Sequence, residues 1–366
     1  MRTATSLLII ALMCTSCHIR KNSDDKGQAR YEILEYPIEN GIGEDYYPSE
    51  LKAYDDERWI LSARHVSWGR TAFFETSNAG KDWEKKSSDN EKGFYENLCV
   101  GKDGRLYCSS PHGFGEDTKT HDRILSSDNA GESWITLCEF NEEIEGLTVN
   151  DGGVFVQIFK KTGPKSTRSI MVSDDGCNSW RTLVKDNHLA SHFGDNIVAD
   201  LARENRHLIV SVNTKTQDLD TIRNNCQTTN QVIAGEDIIG IWNGRRADYY
   251  RIVKDTAVYM SRIRYDLPRT SHVPTQIHQH GDIVYTSVLV PSDMSRIEMF
   301  ISTDRAKSWT QVNTNNSFSH EYDNVWTPAG SAWFMAGYKD RIVSYCVVEK
   351  DGQRQDFIRI IRPKVD

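Results

Sequence analysis

One eight-residue pattern occurs four times in this chain, and a turn that repeats restricts a fold more than any compositional feature does. The copies are Thr76-Ser77-Asn78-Ala79-Gly80-Lys81-Asp82-Trp83, Ser127-Asp128-Asn129-Ala130-Gly131-Glu132-Ser133-Trp134, Ser173-Asp174-Asp175-Gly176-Cys177-Asn178-Ser179-Trp180 and Ser302-Thr303-Asp304-Arg305-Ala306-Lys307-Ser308-Trp309. Each sets Ser or Thr, Asp or Asn two residues on, usually Gly two further, and Trp three further. Strand-like residues flank the units, as in Thr71-Ala72-Phe73-Phe74 and Thr310-Gln311-Val312. Asp or Asn in a tight turn accepts bonds from nearby backbone N–H groups, and Gly supplies a positive φ. The hydroxyl secures the turn's other side, and Trp starts the next strand with a large apolar body. The pattern predicts a hairpin clamp.

These residues resemble the Asp-box, or BNR repeat, of sialidase-like β-propellers, written S-x-D-x-G-x-x-W, with Cys177 and Ala306 departing at the Gly position. The resemblance implies that each box joins the third and fourth strands of a blade, on the rim away from the ligand. Thr76, Asn78, Gly80, Trp83, Ser127, Asn129, Gly131, Trp134, Ser173, Asp175, Trp180, Ser302, Asp304 and Trp309 are therefore expected to be structural.

Spacing sets the architecture. The box Trps step by 51, 46 and 129 residues, and the last step leaves room for two or three blades. A worn box is expected at 223–230, and Asp151-Gly152 and Asp351-Gly352 signal further turns. Residues 31–366, at roughly 40–50 residues per four-stranded blade, predict one all-β propeller of seven blades. Six blades with an insertion between 230 and 300 is the alternative.

The N-terminus places Arg2 before the apolar stretch 7–13, then Thr15-Ser16 and Cys17. This is the pattern of an export signal, and it resembles the lipobox of bacterial lipoproteins, with Cys14 where Leu is usual. The resemblance implies a signal peptide over 1–16, a lipidated Cys17 and a flexible tether over 17–30. His18 replaces the Asp typical of inner-membrane retention, so the expected location is the bacterial cell envelope, at the outer membrane facing the periplasm.

Six cysteines follow: Cys99, Cys108, Cys138, Cys177, Cys226 and Cys346. With Asp103-Gly104 as a two-residue hairpin turn, counting outward sets Cys99 opposite Cys108. That predicts a non-hydrogen-bonded pair with Cα atoms about 4.5 Å apart, and so a disulfide. The remaining four have no legible pairing.

Composition excludes several classes. Lys and Arg total 44 against 52 Asp and Glu, a net charge of −8, which gives no electrostatic basis for nucleic-acid binding. No apolar run beyond residue 13 approaches the roughly 18 residues of a membrane span. An enzyme of the resembled family would carry an R-I-P arginine, two further arginines for a carboxylate, an Asp acid/base and a Tyr–Glu nucleophile pair. R-I-P does not occur; Arg58 and Arg64 are the nearest early arginines. Arg245-Arg246 with Asp248-Tyr249-Tyr250, and Tyr338 with Arg341, have suitable side chains without the motif. His278-Gln279-His280 has metal-like spacing but no third ligand. No catalytic residue, cofactor site or metal ligand is assigned. The expectation is a lipid-anchored propeller that binds a protein partner without catalysis, as a scaffold, an assembly factor or a toxin-neutralising immunity lipoprotein. Its Tyr-rich stretches 45–48 and 248–250 would suit a recognition face. A sialidase-like glycosidase or glycan binder is the alternative.

Overall fold

The computed structural model describes residues 31–364 except 68–69, 88–92, 112–120, 151, 163–164, 186, 194–195, 204–205, 227–230, 243–245, 254–255, 265–272, 290–296, 313–334 and 351–352. The leader, Cys17 and the tether lie outside the described residues.

After an opening strand, β1 (Tyr31–Pro37), the chain forms six four-stranded antiparallel meanders in succession. Blade 1 is β2 (Tyr46–Ala53), β3 (Trp59–His65), β4 (Thr71–Thr76) and β5 (Glu84–Lys85). Blade 2 is β6 (Glu96–Val100), β7 (Leu106–Ser110), β8 (Asp122–Ser127) and β9 (Ile135–Phe140). Blade 3 is β10 (Glu143–Asn150), β11 (Gly153–Thr162), β12 (Lys165–Ser173) and β13 (Arg181–Lys185). Blade 4 is β14 (Asn187–Phe193), β15 (Asn196–Arg203), β16 (Arg206–Asn213) and β17 (Leu219–Cys226). Blade 5 is β18 (Gln231–Ala234), β19 (Ile238–Trp242), β20 (Arg246–Val253) and β21 (Thr256–Arg264). Blade 6 is β22 (Val273–His280), β23 (Ile283–Leu289), β24 (Ile297–Ser302) and β25 (Thr310–Val312). Blade 7 has β26 (Met335–Tyr338), β27 (Arg341–Lys350) and β28 (Gln353–Pro363), and takes β1 as its outer strand.

The molecule is a seven-bladed β-propeller. Pairing of β1 with β28, from Tyr31↔Pro363 to Pro37↔Phe357, fastens the chain's beginning to its last blade. Closure satisfies an edge that would otherwise stay open. The interval between Trp180 and Trp309 holds blades 4 and 5 and most of blade 6, so the six-bladed alternative falls away.

Strand alternation explains the ring. Successive side chains point to opposite faces, and here both faces of a blade are covered by neighbours. Ile60 and Phe73 face blade 2 with Leu98 and Leu106, whereas Leu61 and Phe74 face blade 7 with Val343 and Ile358. Among the described residues seven apolar clusters result, each straddling a boundary between neighbouring blades. Strands buried on both sides read as continuous apolar runs, as in the fully buried Ile238–Trp242.

Candidate functional site

The four repeated turns each join the third and fourth strands of a blade, in blades 1, 2, 3 and 6. Their hydrogen bonds superimpose. Thr76 Oγ1 donates to Asn78 Oδ1 (2.9 Å) and accepts from the Gly80 N–H (3.0 Å), while Asn78 Oδ1 accepts from the Asp82 N–H (3.0 Å). Ser127 and Asn129, Ser173 and Asp175, and Ser302 and Asp304 repeat the set at 2.8–3.0 Å. The network holds two consecutive residues at positive φ, including Cys177 (73°), Arg305 (57°) and Ala306 (61°), where Gly alone would sit without strain. Asp175 Oδ2 and Asp304 Oδ2 each take a further hydroxyl, from Ser179 and Ser308, at 2.6 Å. These donors hold the Asp175 carboxyl down at about 2. The Ser or Thr hydroxyl and the Asp or Asn side chain of each motif bond within their own turn, so their chemistry is that of a clamp.

Two sequence expectations fail at other turns. Arg223 to Cys226 belong to β17, the fourth strand of blade 4, and 227–230 lie outside the described residues, so 223–230 is not a third-to-fourth turn. That turn falls at 214–218, where Asn213 Oδ1 accepts from the Lys215 and Thr216 N–H groups. In blade 2, the hairpin after β6 has three loop residues, not two. Gly101 N–H donates to Arg105 O (2.8 Å), Gly104 N–H donates to Gly101 O (3.0 Å), and Gly104 has φ 79°. This turn with a glycine bulge shifts the register by one residue, placing Cys99 opposite Tyr107. Cys108 therefore points to the other face, and the Cys99–Cys108 disulfide does not form: both are free thiols. The Cys99 thiol donates to Leu147 O of blade 3 (3.2 Å), and burial pushes its pKa up to about 11.

The opposite rim differs. The connections 86–95, 111–121, 265–272 and 313–334 leave strand ends there, whereas 38–45 is bonded through Glu39 and Asn40 to the first repeated turn. Loops on a rigid ring are where recognition is normally built. Beneath them, the first strands of five blades carry register irregularities, between Pro48/Glu50, Glu96/Cys99, Ile144/Gly146, Asn187/Leu189 and Pro274/Gln276. Bulges re-aim side chains, and these ring the upper part of the central axis. One such residue, Glu50, accepts from the Leu98 N–H of blade 2 at 2.8 Å. Its side chain is half-buried, and desolvation by the surrounding protein raises its pKa against Lys52 and the Leu98 and Asn97 N–H groups. Sequence reading misses these positions because a bulge has no residue signature beyond a single unpaired residue.

Several arginines of this upper half are engaged by carboxylates, whereas Arg246, at the start of β20 in blade 5, keeps a buried Nε without a hydrogen-bond partner among the described residues. Arg64 pairs with Glu96 (2.9 Å), and Arg168 holds Glu145 with two bonds (2.6 and 2.7 Å). Arg262 clasps the buried Asp248 (2.5 and 3.2 Å), and Arg354 clasps Asp356 (2.7 and 3.0 Å). Arg58, at the other rim, pairs with Glu75 (2.7 Å). Tyr249 is fully buried with its hydroxyl donating to Thr286, and Tyr250 packs edge-on to Tyr259, so 248–250 supply core rather than a recognition face. Tyr46 lies edge-on to His65 and Phe74, within hydrogen-bond distance of Lys85 Nζ. Arg341 bonds Asp340 beside Asp56, on the rim of the repeated turns.

His278 and His280 point to one face of β22 but meet different neighbours. His278 Nε2 lies 2.9 Å from Lys339 O, with its ring against Gly337, while His280 approaches Glu236 at 4.0 Å. Among the described residues no group of three or more His, Cys, Asp or Glu side chains is arranged to hold a metal ion. The described pocket beside His278, lined by Tyr285, Met299, Met335 and Ile342, is a half-open packing gap between blades 6 and 7 with room for about one water.

No family model and no curated protein sequence matches this chain. Its fold is similar to solved peptidase structures at low identity. A prolyl endopeptidase structure superimposes with TM-score 0.54 and 9% identity over 87% of this chain and 51% of its own. An acylaminoacyl peptidase from Pyrococcus horikoshii gives 0.51 and 10% over 90% and 54%. A puromycin-hydrolyzing peptidase from Mycobacterium tuberculosis gives 0.51 and 11% over 85% and 53%. The chain spans about half the length of these proteins, and the likeness is one of propeller architecture.

Proposed function

We propose that this chain is a non-catalytic propeller of the Asp-box type, anchored in the bacterial envelope through Cys17, that holds a protein partner on its loop-bearing rim. A scaffold, an assembly factor or an immunity lipoprotein would work in this way. The observation that carries the reading is that Arg168, Arg262 and Arg354 are each held by two bonds to a carboxylate of their own chain, with Arg64 held by one. A sialidase-type site needs arginines free to grip a substrate carboxylate, and a guanidinium bound bidentately has little left to offer. A rigid ring carrying several long loops can supply the roughly 1,200–2,000 Å² of a stable protein interface. The shared bond pattern of the four turns supports the Asp-box assignment.

The test incubates the protein with fluorogenic sialosides and a wider glycoside panel, and measures complex formation with co-expressed envelope proteins by analytical ultracentrifugation. A stoichiometric one-to-one complex without turnover is expected. Glycoside hydrolysis well above background would replace this reading with the glycosidase. Separately, Cys17→Ser should move the protein from the membrane fraction to the soluble one.

A further inference from the structure

We propose that Cys138 and Cys177 form a disulfide that joins blade 2 to blade 3 when the protein meets a thiol–disulfide oxidant. The site is built by the repeated turn itself. In blade 1 the turn's fifth residue is Gly80, where a Cβ would lie 2.6 Å from Ile358 of blade 7. In blade 2 it is Gly131, where a Cβ would lie 2.7 Å from Phe73 of blade 1. This position thus always presses on the preceding blade. In blade 3 it is Cys177, held at φ 73° by the bond from its N–H to Ser173 Oγ (2.8 Å), so its side chain is driven toward blade 2.

What it meets there is Cys138, on β9, the outer strand of blade 2. Cys138 pairs with Ile124 just before the register shift between Ile124 and Leu125. The same place in blade 5 is Ser261, paired with Tyr249 before the shift between Tyr249 and Tyr250. Ser261 bonds across its boundary: its hydroxyl donates to Ala306 O and receives the Trp309 indole N–H (2.9 Å) of blade 6. Blade boundaries 2–3 and 5–6 therefore share one docking point, filled by a hydroxyl in one and by two thiols in the other. Cys177 and Ile124 belong to one buried cluster against which the partly buried Cys138 and Trp180 pack, and the two thiols interact. The Cys177 S–H donates, which favours the thiolate at Cys138, while the buried Cys177 is shifted the other way.

The chemistry follows that asymmetry. Cys138 is partly exposed and attacks a sulfur of a small-molecule disulfide, expelling one thiolate and forming a mixed disulfide. Cys177 then loses its proton and attacks the Cys138 sulfur, expelling the second thiolate. Two electrons pass from the protein thiols to the reagent disulfide, and two protons leave with its thiols. Nothing in this requires a particular function of the propeller, so it stands or falls apart from the binding role.

The test incubates the reduced, folded full-length chain with oxidised glutathione, blocks remaining thiols with iodoacetamide and maps peptides by mass spectrometry. The expected product is a Cys138 peptide linked to a Cys177 peptide, two hydrogens lighter than the reduced pair. Full alkylation of both cysteines after equilibration, or linkage of Cys138 to Cys99, overturns the proposal. Cys177→Gly restores the residue found at positions 80 and 131 and should fold. Oxidised glutathione should raise the thermal midpoint of the parent by a few degrees and leave Cys177→Gly unmoved, whereas an equal shift in both counts against the crosslink.

Discussion

Gly131 lies so close to Phe73 of the preceding blade that a Cβ on it would sit 2.7 Å from the ring's Cγ. With φ at 85°, this glycine answers both a backbone and a packing requirement. Gly131→Ala should cost about 2–4 kcal/mol, from left-handed strain and overpacking together. Gly176→Ala, at φ 72° with open space around it, should cost only about 1 kcal/mol. Urea midpoints of the two variants check this, and equal losses would show that the contact with Phe73 is unimportant.

Ser302 is 1% exposed and serves both as donor to Asp304 Oδ1 and as acceptor for the Ala306 N–H. Ser302→Ala strips a buried N–H of its partner and should cost about 1–3 kcal/mol. Ser302→Thr should be nearly silent, because Thr76 already performs this role in blade 1. Chemical denaturation of both variants decides the matter. A destabilised Thr variant would mean that the turns are not interchangeable.

Asp175 gives a pH prediction. Its folded pKa, about 2, lies below the ordinary carboxylate value because the Ser179 hydroxyl and N–H donate to it. A depressed pKa contributes stability that is present above the ordinary value, about 3.9, and lost as pH falls through about 2. Asp175→Asn should therefore flatten the decline in thermal midpoint between pH 4 and pH 2. The amide is geometrically acceptable, since Asn78 and Asn129 fill the same position in the other turns. An unchanged pH profile would show that Asp175 is not the titrating group.

Glu50 runs the other way. Burial raises its folded pKa, so the stability it contributes is full below the ordinary glutamate range and lost as pH rises through the folded value. Glu50→Gln keeps an oxygen for the Leu98 N–H and removes the titration. Its thermal midpoint should gain on the parent's as pH goes from 4 to 7. A gain on the parent at pH 4 instead would show that Lys52 stabilises the carboxylate more than burial opposes it.

What the sequence determined by itself is local and repetitive. A Ser or Thr, an Asp or Asn and a Trp at fixed spacing specify a turn because every bond it needs comes from within eight residues, and four such turns at blade-length intervals specify a propeller. Length per blade predicted seven blades with six as the alternative, and the strand pairing decided for seven. The turns also made blades 4 and 5 hard to read, since they close with other residues, and the true turn after Asn213 bears no trace of the repeat. Tertiary structure decided what lies between blades. One extra residue in the Gly101–Arg105 hairpin turned Cys108 away from Cys99, and only the packing of blade 3 on blade 2 brought Cys177 to Cys138. Residues such as Glu50 and Leu98, 48 apart in the chain, meet because the ring sets first strands side by side. Local hydrogen bonds can be counted along a sequence, but contacts across a blade boundary depend on register, and register is fixed only when the ring closes.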